Sequence, residues 1–425
     1  MAGKRFELPG VFRNALILFS GSSVAQVIAL ALTPILSRIY TPEDFGILAL
    51  FIGIAWFFGI VATLRYELAI MLPAEQKDAA GLVKLCFLIS LLIAFISFTV
   101  IATMGDTIAE LLKNDDIVPY LWLVPIVVLI TGIFQTLNYW NTRRSEFKNV
   151  AAARIAQSVV VGGVQVSTSK VLSAGGLIIG YAAGIFAGAI SLLFKTSKQD
   201  RAEWMSSTKS ELNALAYKYK DFPRFNGIQA IVDSLQSSGV VFLISSFFGS
   251  IMLGWYSFTF RILQAPLGLI GSSIAQAFYQ KAADNFNNGD DARSLFKTSL
   301  RTLFLVALPI FFLITIFAPV IFAFVFGENW REAGVYAQYL SPWLFMNFLV
   351  SPFSQLPMIV GRQGAMLSFS LVGNLLILLS LVVGAKFFND LKIGFMILSA
   401  TQTIYLSVLL YWYYSLSGRR ANSTE

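Results

Sequence analysis

Four ionisable residues interrupt stretches that are otherwise apolar, and they are the strongest candidates for chemistry in this sequence. Arg65 and Glu67 lie two positions apart within residues 63–70, Asp233 lies in a polar stripe, and Arg261 follows it further along the chain. A guanidinium binds phosphate oxygens bidentately, and a carboxylate can carry a proton or bind a cation. Ionisable groups at bilayer depth are costly and usually face a cavity or a partner. The four residues are therefore candidates for an anion site and for ion coupling.

Each of these residues also has a simpler interpretation. Arg65 falls near the end of its apolar stretch and could anchor at the membrane interface, and Arg261 could snorkel to the opposite interface. Residues two apart on a helix point to different faces, so we expect Arg65 and Glu67 to be poor partners for each other. Asp233 could carry a proton, bind a cation or neutralise an arginine. The sequence leaves these alternatives open.

The seventh apolar stretch carries a polar stripe on one helical face. At about 100° per residue, five polar side chains share an arc of about 100°. Lipid cannot satisfy such a stripe, which favours a water-filled cavity, with a polar seam between helices as the alternative. The five residues are Asn226, Gln229, Asp233, Gln236 and Ser237.

Two further stretches present polar side chains on one face. In the eighth stretch Arg261 and Ser272 share a face, and Gln264 lies beside it. In the first stretch Gln26 lies on a narrow polar face, where a packing seam is an equally good interpretation. We predict that Gln26, Gln264 and Ser272 line a substrate cavity together with Arg65, Arg261, Asn226 and Gln229, and that Asp233 and Glu67 are the ion-coupling candidates.

The composition determines which elements must position these residues. The chain has 425 residues, 56% hydrophobic and 13% charged, with a mean hydropathy of +0.71. Soluble domains contain about 25% charged residues, so a soluble enzyme is excluded. With no histidine and one cysteine, Cys86, the sequence offers no ordinary zinc, haem or iron–sulfur site and no Ser-His-Asp nucleophile. We predict neither a catalytic residue nor a resident metal, and the absence of a G-x-x-x-x-G-K-[ST] loop argues against an intrinsic ATPase.

Runs of roughly 20 apolar residues predict an all-α, polytopic membrane protein with twelve spans. The long polar connection divides them into an N-lobe of six helices at residues 1–195, a cytoplasmic linker at 196–223 and a C-lobe of six helices at 224–425. We expect the linker to carry a short interfacial helix. The predicted spans are 14–36, 45–72, 80–104, 117–140, 149–168, 174–194, 225–248, 254–281, 298–326, 333–360, 364–388 and 393–416.

The net charge of +8 is mainly a signal of orientation. Most of the 31 lysines and arginines fall on one side of the predicted spans when the N-terminus is placed inside. Cytoplasmic loops carry such an excess, so both termini are predicted to be cytoplasmic. The protein is thus expected to be a multi-pass secondary transporter, and its arginines indicate an anionic substrate.

Several motifs resemble those of a known family. LSRIYTPEDFG at residues 36–46 and LRYELAI at 64–70 look like the opening of the Wzx-type polysaccharide and O-antigen flippases. These flippases belong to the multidrug/oligosaccharidyl-lipid/polysaccharide exporter superfamily. DFPRF at 221–225, LGWY at 253–256 and AFYQ at 277–280 agree with the resemblance.

The resemblance implies a MATE-like, V-shaped fold of two six-helix lobes that works by alternating access. It implies a bacterial cytoplasmic (inner) membrane location and transport of an undecaprenyl-diphosphate-linked oligosaccharide to the periplasmic leaflet for lipopolysaccharide or surface polysaccharide biosynthesis. The implied partners are this lipid-linked oligosaccharide and the bilayer, with other polysaccharide assembly proteins left open and no nucleic acid. No cofactor is expected, and coupling to H⁺ or Na⁺ stays open.

Two other functions remain as alternatives. An ion-coupled exporter of small, often cationic compounds could use the same fold, and it would have a cavity dominated by carboxylates. A membrane enzyme such as a polysaccharide polymerase would carry a large extracytoplasmic loop with catalytic candidates, whereas the predicted outer loops are short. Non-enzymatic transport is therefore the predicted function.

Overall fold

The computed structural model describes residues 10–418, except for the side chains of residues 10–20, 265, 266, 269, 270, 273 and 287. Over this range all regular secondary structure is helical, as predicted. The N-terminal part contains helices α1 to α8, together with a 3₁₀ helix, Tyr66–Met71, between α2 and α3. The helices are α1 Gly10–Ile39, α2 Pro42–Gly59, α3 Gln76–Leu112, α4 Val118–Leu121, α5 Val124–Arg143, α6 Phe147–Lys195, α7 Lys198–Ser206 and α8 Lys209–Lys218.

The C-terminal part continues with six helices, preceded by a π-helical turn, Phe222–Gly227. Helix α9 is 60 residues long and is bent at Gly249, where φ is 83° and ψ is 177°. Glycine adopts this conformation readily because it has no Cβ. The helices are α9 Ile228–Asn287, α10 Arg293–Phe326, α11 Arg331–Val350, α12 Leu356–Ile359, α13 Gln363–Val383 and α14 Leu391–Ser417.

The helices make this a multi-span membrane protein. Eight of the described helices are long and apolar enough to cross a membrane, and nine if the bent pair Asp115–Leu121 and Val124–Arg143 forms one span. Helix α6 has 49 residues and a non-helical residue at Ser173, so it also falls into two segments. Twelve spans and cytoplasmic termini stay predictions, and residues 1–9 and 419–425 at the two ends lie outside the described range.

The chain divides into two compact units, one running up to Ser246 and the other beginning at Phe247. The first part of α9 thus belongs to the first unit. The predicted lobe boundary at residue 224 stays a prediction. The long polar connection contains two short helices, α7 and α8, whose Trp204 and Leu215 join the buried core of the first unit. Trp204 packs edge-on against Phe87 and Trp140 there, with ring centroids 5.7 and 5.6 Å away.

Candidate polar site in the first unit

The second predicted span does not continue as one helix to residue 72. Helix α2 begins at a capping box in which Thr41 and Asp44 exchange hydrogen bonds, and it ends at Gly59. Leu64 and Arg65 then adopt left-handed conformations with φ of 48° and 66° before the 3₁₀ helix begins. Left-handed backbone is uncommon outside glycine, so these two residues are held there against a conformational cost.

The break brings Arg65 and Glu67 together. Arg65 Nη1 lies 3.5 Å from Glu67 Oε1, and the Thr63 hydroxyl donates a short hydrogen bond to Glu67 Oε2. The prediction that Arg65 and Glu67 are poor partners is wrong, because it assumed a regular α-helix through this segment. The Glu67 side chain is 1% exposed and the Arg65 side chain is 30% exposed. Glu67 therefore lies in the core, and Arg65 reaches an accessible surface.

Helix α5 runs alongside residues 59–73, the broken segment that follows α2. A Cβ added at Gly59 would lie 3.6 Å from Thr131 Cγ2. Further along, Tyr139 interacts electrostatically with both Glu67 and Arg65. At the end of the helix, the Arg143 guanidinium donates to the carbonyl oxygens of Ile70 and Pro73, at 3.1 and 2.7 Å. One face of α5 therefore borders the Arg65–Glu67 pair, and α5 contacts the broken segment both before and after this point along the helix.

The first part of α9 uses small residues to pack against α2 and α3. The Ser238 hydroxyl donates to the Gly53 carbonyl at 2.9 Å, and the Ser245 hydroxyl donates to the Leu112 carbonyl at 3.1 Å. The predicted polar stripe lies on another face of the same helix. Asn226 in the π-helical turn, Gln229, Asp233 and Ser237 are exposed, and Gln236 is partly buried.

Asp233 connects this stripe to the broken segment, because its carboxylate interacts electrostatically with the Arg65 guanidinium. The structure thus groups Arg65, Glu67 and Asp233 within the first unit and adds Tyr139 beside them. The guanidinium pairs with Glu67 and interacts with Asp233 at longer range. Such a group can attract an anion to the arginine, and its exposed carboxylate can bind a proton or a cation.

The remaining predicted residues lie elsewhere. Gln26 is partly buried on α1, next to a contact in which Ser158 of α6 donates to the Ala25 carbonyl at 2.8 Å. In the second unit Arg261 and Gln264 are partly exposed and Ser272 is exposed. Arg261 makes no ion pair with any described residue. The cavity role of these residues stays a prediction.

Two amides on α5, Gln135 and Asn138, were not among the site residues predicted from the sequence. The buried oxygens Gln135 Oε1 and Asn138 Oδ1 have no hydrogen-bond partner among the described residues. The sequence did contain one indication of them, because two amides three residues apart on an apolar helix lie next to each other on its surface. Among the described residues, no group of three or more histidine, cysteine, aspartate or glutamate side chains could hold a metal ion.

The family model described as polysaccharide biosynthesis protein matches residues 35–334. This range covers the broken segment, α5 and the whole of α9. The chain belongs to this family. Membership agrees with the resemblance to polysaccharide flippases and assigns the protein to polysaccharide biosynthesis. No curated protein sequence matches the chain at a significant level.

Solved structures with a similar fold are transporters of the MOP superfamily and a flippase. A lipid II flippase MurJ in an inward closed conformation has a TM-score of 0.71 at 13% identity, covering 93% of this chain and 87% of that one. An inward-facing multidrug resistance MATE family transporter has a TM-score of 0.61 at 11% identity, with 93% of both chains covered. A MOP superfamily transporter from Pyrococcus furiosus, described as having a binding pocket of reverse polarity, has a TM-score of 0.52 at 12% identity, with 94% of both chains covered. At these identities the likeness shows a shared MATE-like fold.

Proposed function

We propose that this protein flips an undecaprenyl-diphosphate-linked oligosaccharide from the cytoplasmic to the periplasmic leaflet of the bacterial inner membrane. Alternating access would carry the polar head across while the lipid tail stays in the bilayer. The product would serve O-antigen, lipopolysaccharide or other surface polysaccharide biosynthesis. The family supports the pathway, and the fold shared with a lipid II flippase supports a lipid-linked cargo.

The observation that carries the proposal is Arg261. This guanidinium lies in an apolar helical segment, Phe222–Gln264, long enough to span the membrane, and it pairs with no acid in the described part of the chain. An unpaired charge within an apolar spanning segment is costly and calls for an anionic partner. A diphosphate offers several oxygens to the planar guanidinium fork, which binds such groups bidentately.

Ion coupling is assigned to the Arg65–Glu67–Asp233 group. Glu67 is buried and held by Thr63, so it stays with Arg65, whereas Asp233 is exposed and interacts with Arg65 only at longer range. An anionic headgroup that binds Arg65 offsets the positive charge that otherwise stabilises the Asp233 carboxylate. The Asp233 carboxylate then takes up the H⁺ or Na⁺ whose gradient drives the cycle.

The test is complementation of a strain that lacks the gene. Wild-type protein restores surface polysaccharide, and without it the lipid-linked unit accumulates on the cytoplasmic leaflet. Arg261→Ala reduces transport at least about tenfold, because each hydrogen bond to a charged group contributes about 1.5–3 kcal/mol. Arg261→Lys keeps the charge and retains part of the activity.

The matched control is Arg331→Ala. Arg331 is an exposed arginine of the same unit that pairs with Glu328. This variant keeps full transport. Normal surface polysaccharide in the deletion strain would contradict the proposed function, and full activity of Arg261→Ala would remove Arg261 from diphosphate binding.

A second candidate function is ion-coupled export of small cationic compounds by the same fold. The observation that favours it is local to Arg65, where the paired Glu67 and the nearby Asp233 supply two carboxylates to one guanidinium. Drug resistance on expression, without any polysaccharide defect on deletion, would favour this candidate over the flippase.

A further inference from the structure

Helix α5 carries two amide side chains that the structure leaves unsatisfied. Gln135 Oε1 and Asn138 Oδ1 are buried, and neither accepts a hydrogen bond from a residue in the described part of the chain. Leaving a buried acceptor unpaired costs about 1–3 kcal/mol. Two such acceptors three positions apart on one helix indicate a place where a ligand supplies the donors.

The register of α5 places Gln135 beside the Arg65–Glu67 pair. Thr131, four residues before it, lies next to Gly59, and Tyr139, four residues after it, interacts with Glu67 and Arg65. Residues four apart share one face of an α-helix. The Gln135 side chain therefore belongs to the face that borders the broken segment.

The chemistry of the two oxygens selects the ligand. An amide oxygen is an acceptor only, so it needs a hydroxyl or N–H donor. A diphosphate at neutral pH presents only acceptor oxygens, so it could pair with the amide NH₂ groups but would leave these two oxygens unsatisfied. Sugar hydroxyls donate, and they also accept from the amide NH₂ groups, so a sugar ring matches both halves of each side chain.

We propose that Gln135 and Asn138 form a subsite for sugar hydroxyl groups of the transported head, separate from the diphosphate ligand. This inference rests on the proposed function and deepens it. Tyr139, on the same helix, and the exposed Asp233 both interact electrostatically with Arg65, so further polar groups lie around this pair. The subsite discriminates lipids that carry the sugar from the bare lipid carrier.

The experiment measures binding to the full-length protein in lipid nanodiscs with two probes. One is undecaprenyl diphosphate without sugar, and the other is the lipid-linked oligosaccharide extracted from a strain that lacks the gene. The variants are Gln135→Leu, Asn138→Leu and the double variant. We expect each single change to raise the Kd for the sugar-bearing lipid about three- to tenfold, since one hydrogen bond contributes about 0.5–1.5 kcal/mol.

Binding of bare undecaprenyl diphosphate should change by less than about twofold in all three variants. The matched control is Gln402→Leu, which removes a buried amide whose Nε2 donates to the Gly373 carbonyl at 2.9 Å. That change affects packing of α13 and α14 and leaves the ratio of the two affinities unchanged. If a leucine variant fails to fold, Gln135→Met and Asn138→Ala give the same comparison, since neither new side chain forms a strong hydrogen bond.

The outcomes separate the two proposals. Equal weakening for both probes would show a structural role for the amides and overturn the subsite. Unchanged affinity for the sugar-bearing lipid, or equal affinity of the wild type for both probes, would overturn it too. Failure of the wild type to bind either probe would contradict the proposed function itself.

Discussion

The two arginines inside apolar segments have opposite surroundings. Arg65 in the first unit pairs with the buried Glu67 and interacts with Asp233. Arg261 in the second unit has no acid partner among the residues that the structure describes. The difference comes from the backbone, because α2 ends and the chain turns at Leu64 and Arg65, whereas Arg261 lies within a helical segment.

The comparison shows how an intramembrane charge can serve stability or binding. A charge with an internal partner is part of the fold, and removing its partner leaves an uncompensated charge. A charge without a partner opposes folding and is free to bind a ligand. Arg65 is of the first kind, with Asp233 as a second acid that interacts with it at longer range, and Arg261 is of the second kind.

The largest effect on stability is expected for Glu67→Leu. The substitution leaves the Arg65 guanidinium and the Thr63 hydroxyl without their carboxylate. Removing one member of a buried pair costs about 3–5 kcal/mol, and the partial exposure of Arg65 reduces this to about 2–3 kcal/mol. Denaturant unfolding in detergent micelles measures the loss.

The control for this prediction is the double variant Arg65→Met/Glu67→Leu. It replaces both charges by apolar groups, so it should be less destabilised than Glu67→Leu alone. A double variant as unstable as the single one would mean that the segment depends on Glu67 for a reason other than charge compensation.

A smaller effect of opposite sign is expected for Arg261→Leu. Replacing an unpaired charge in an apolar segment by leucine removes a desolvation cost. The free energy of unfolding should therefore rise by about 1 kcal/mol, while transport is lost. Thermal unfolding in micelles and the complementation assay measure the two quantities. A destabilised Arg261→Leu would place this arginine with Arg65, among the charges that hold the fold together.

The smallest effect is expected at an exposed ion pair that contrasts with both arginines. Glu211 on α8 accepts hydrogen bonds from Lys77 and from the Thr208 backbone and hydroxyl, which lowers the pKa of its carboxyl from 4.5 to about 2. Because the pKa is lower in the folded state, this stabilisation is present above pH 4.5 and is lost as the pH falls towards 2.

Glu211→Gln should therefore cause only a slight decrease in Tm at pH 7, and the difference from wild type should vanish below the folded-state pKa of about 2. Added salt should also reduce the difference, because exposed ion pairs are screened. A large loss of stability at neutral pH, insensitive to salt, would contradict the assignment of this pair to the surface.

Much of the fold could be predicted from composition and apolar runs alone. Long apolar stretches with few charges require helices, because a membrane leaves no other way to satisfy the backbone. The connection predicted at residues 169–173 coincides with the break at Ser173, and the one predicted at 249–253 begins at Gly249. Glycine at the second break was a visible local signal.

The candidate site was predictable only in part. The types and positions of Arg65, Glu67 and Asp233 were visible, but the break between Gly59 and Tyr66 was not. Leu64 and Arg65 are not helix breakers, and left-handed backbone at such residues persists only where the surrounding packing holds it. The role of Gln135 was equally hidden, since it depends on the register of α5 against that segment.

The sequence by itself determined a helical membrane protein of the polysaccharide biosynthesis family, because hydropathy and family motifs are properties of the chain order. It also determined that few charges enter the apolar segments. Only the tertiary structure decided which of these charges are compensated. Glu67 reaches Arg65 through a helix break, and the packing of α9 against α2 brings Asp233, distant along the chain, near the same arginine.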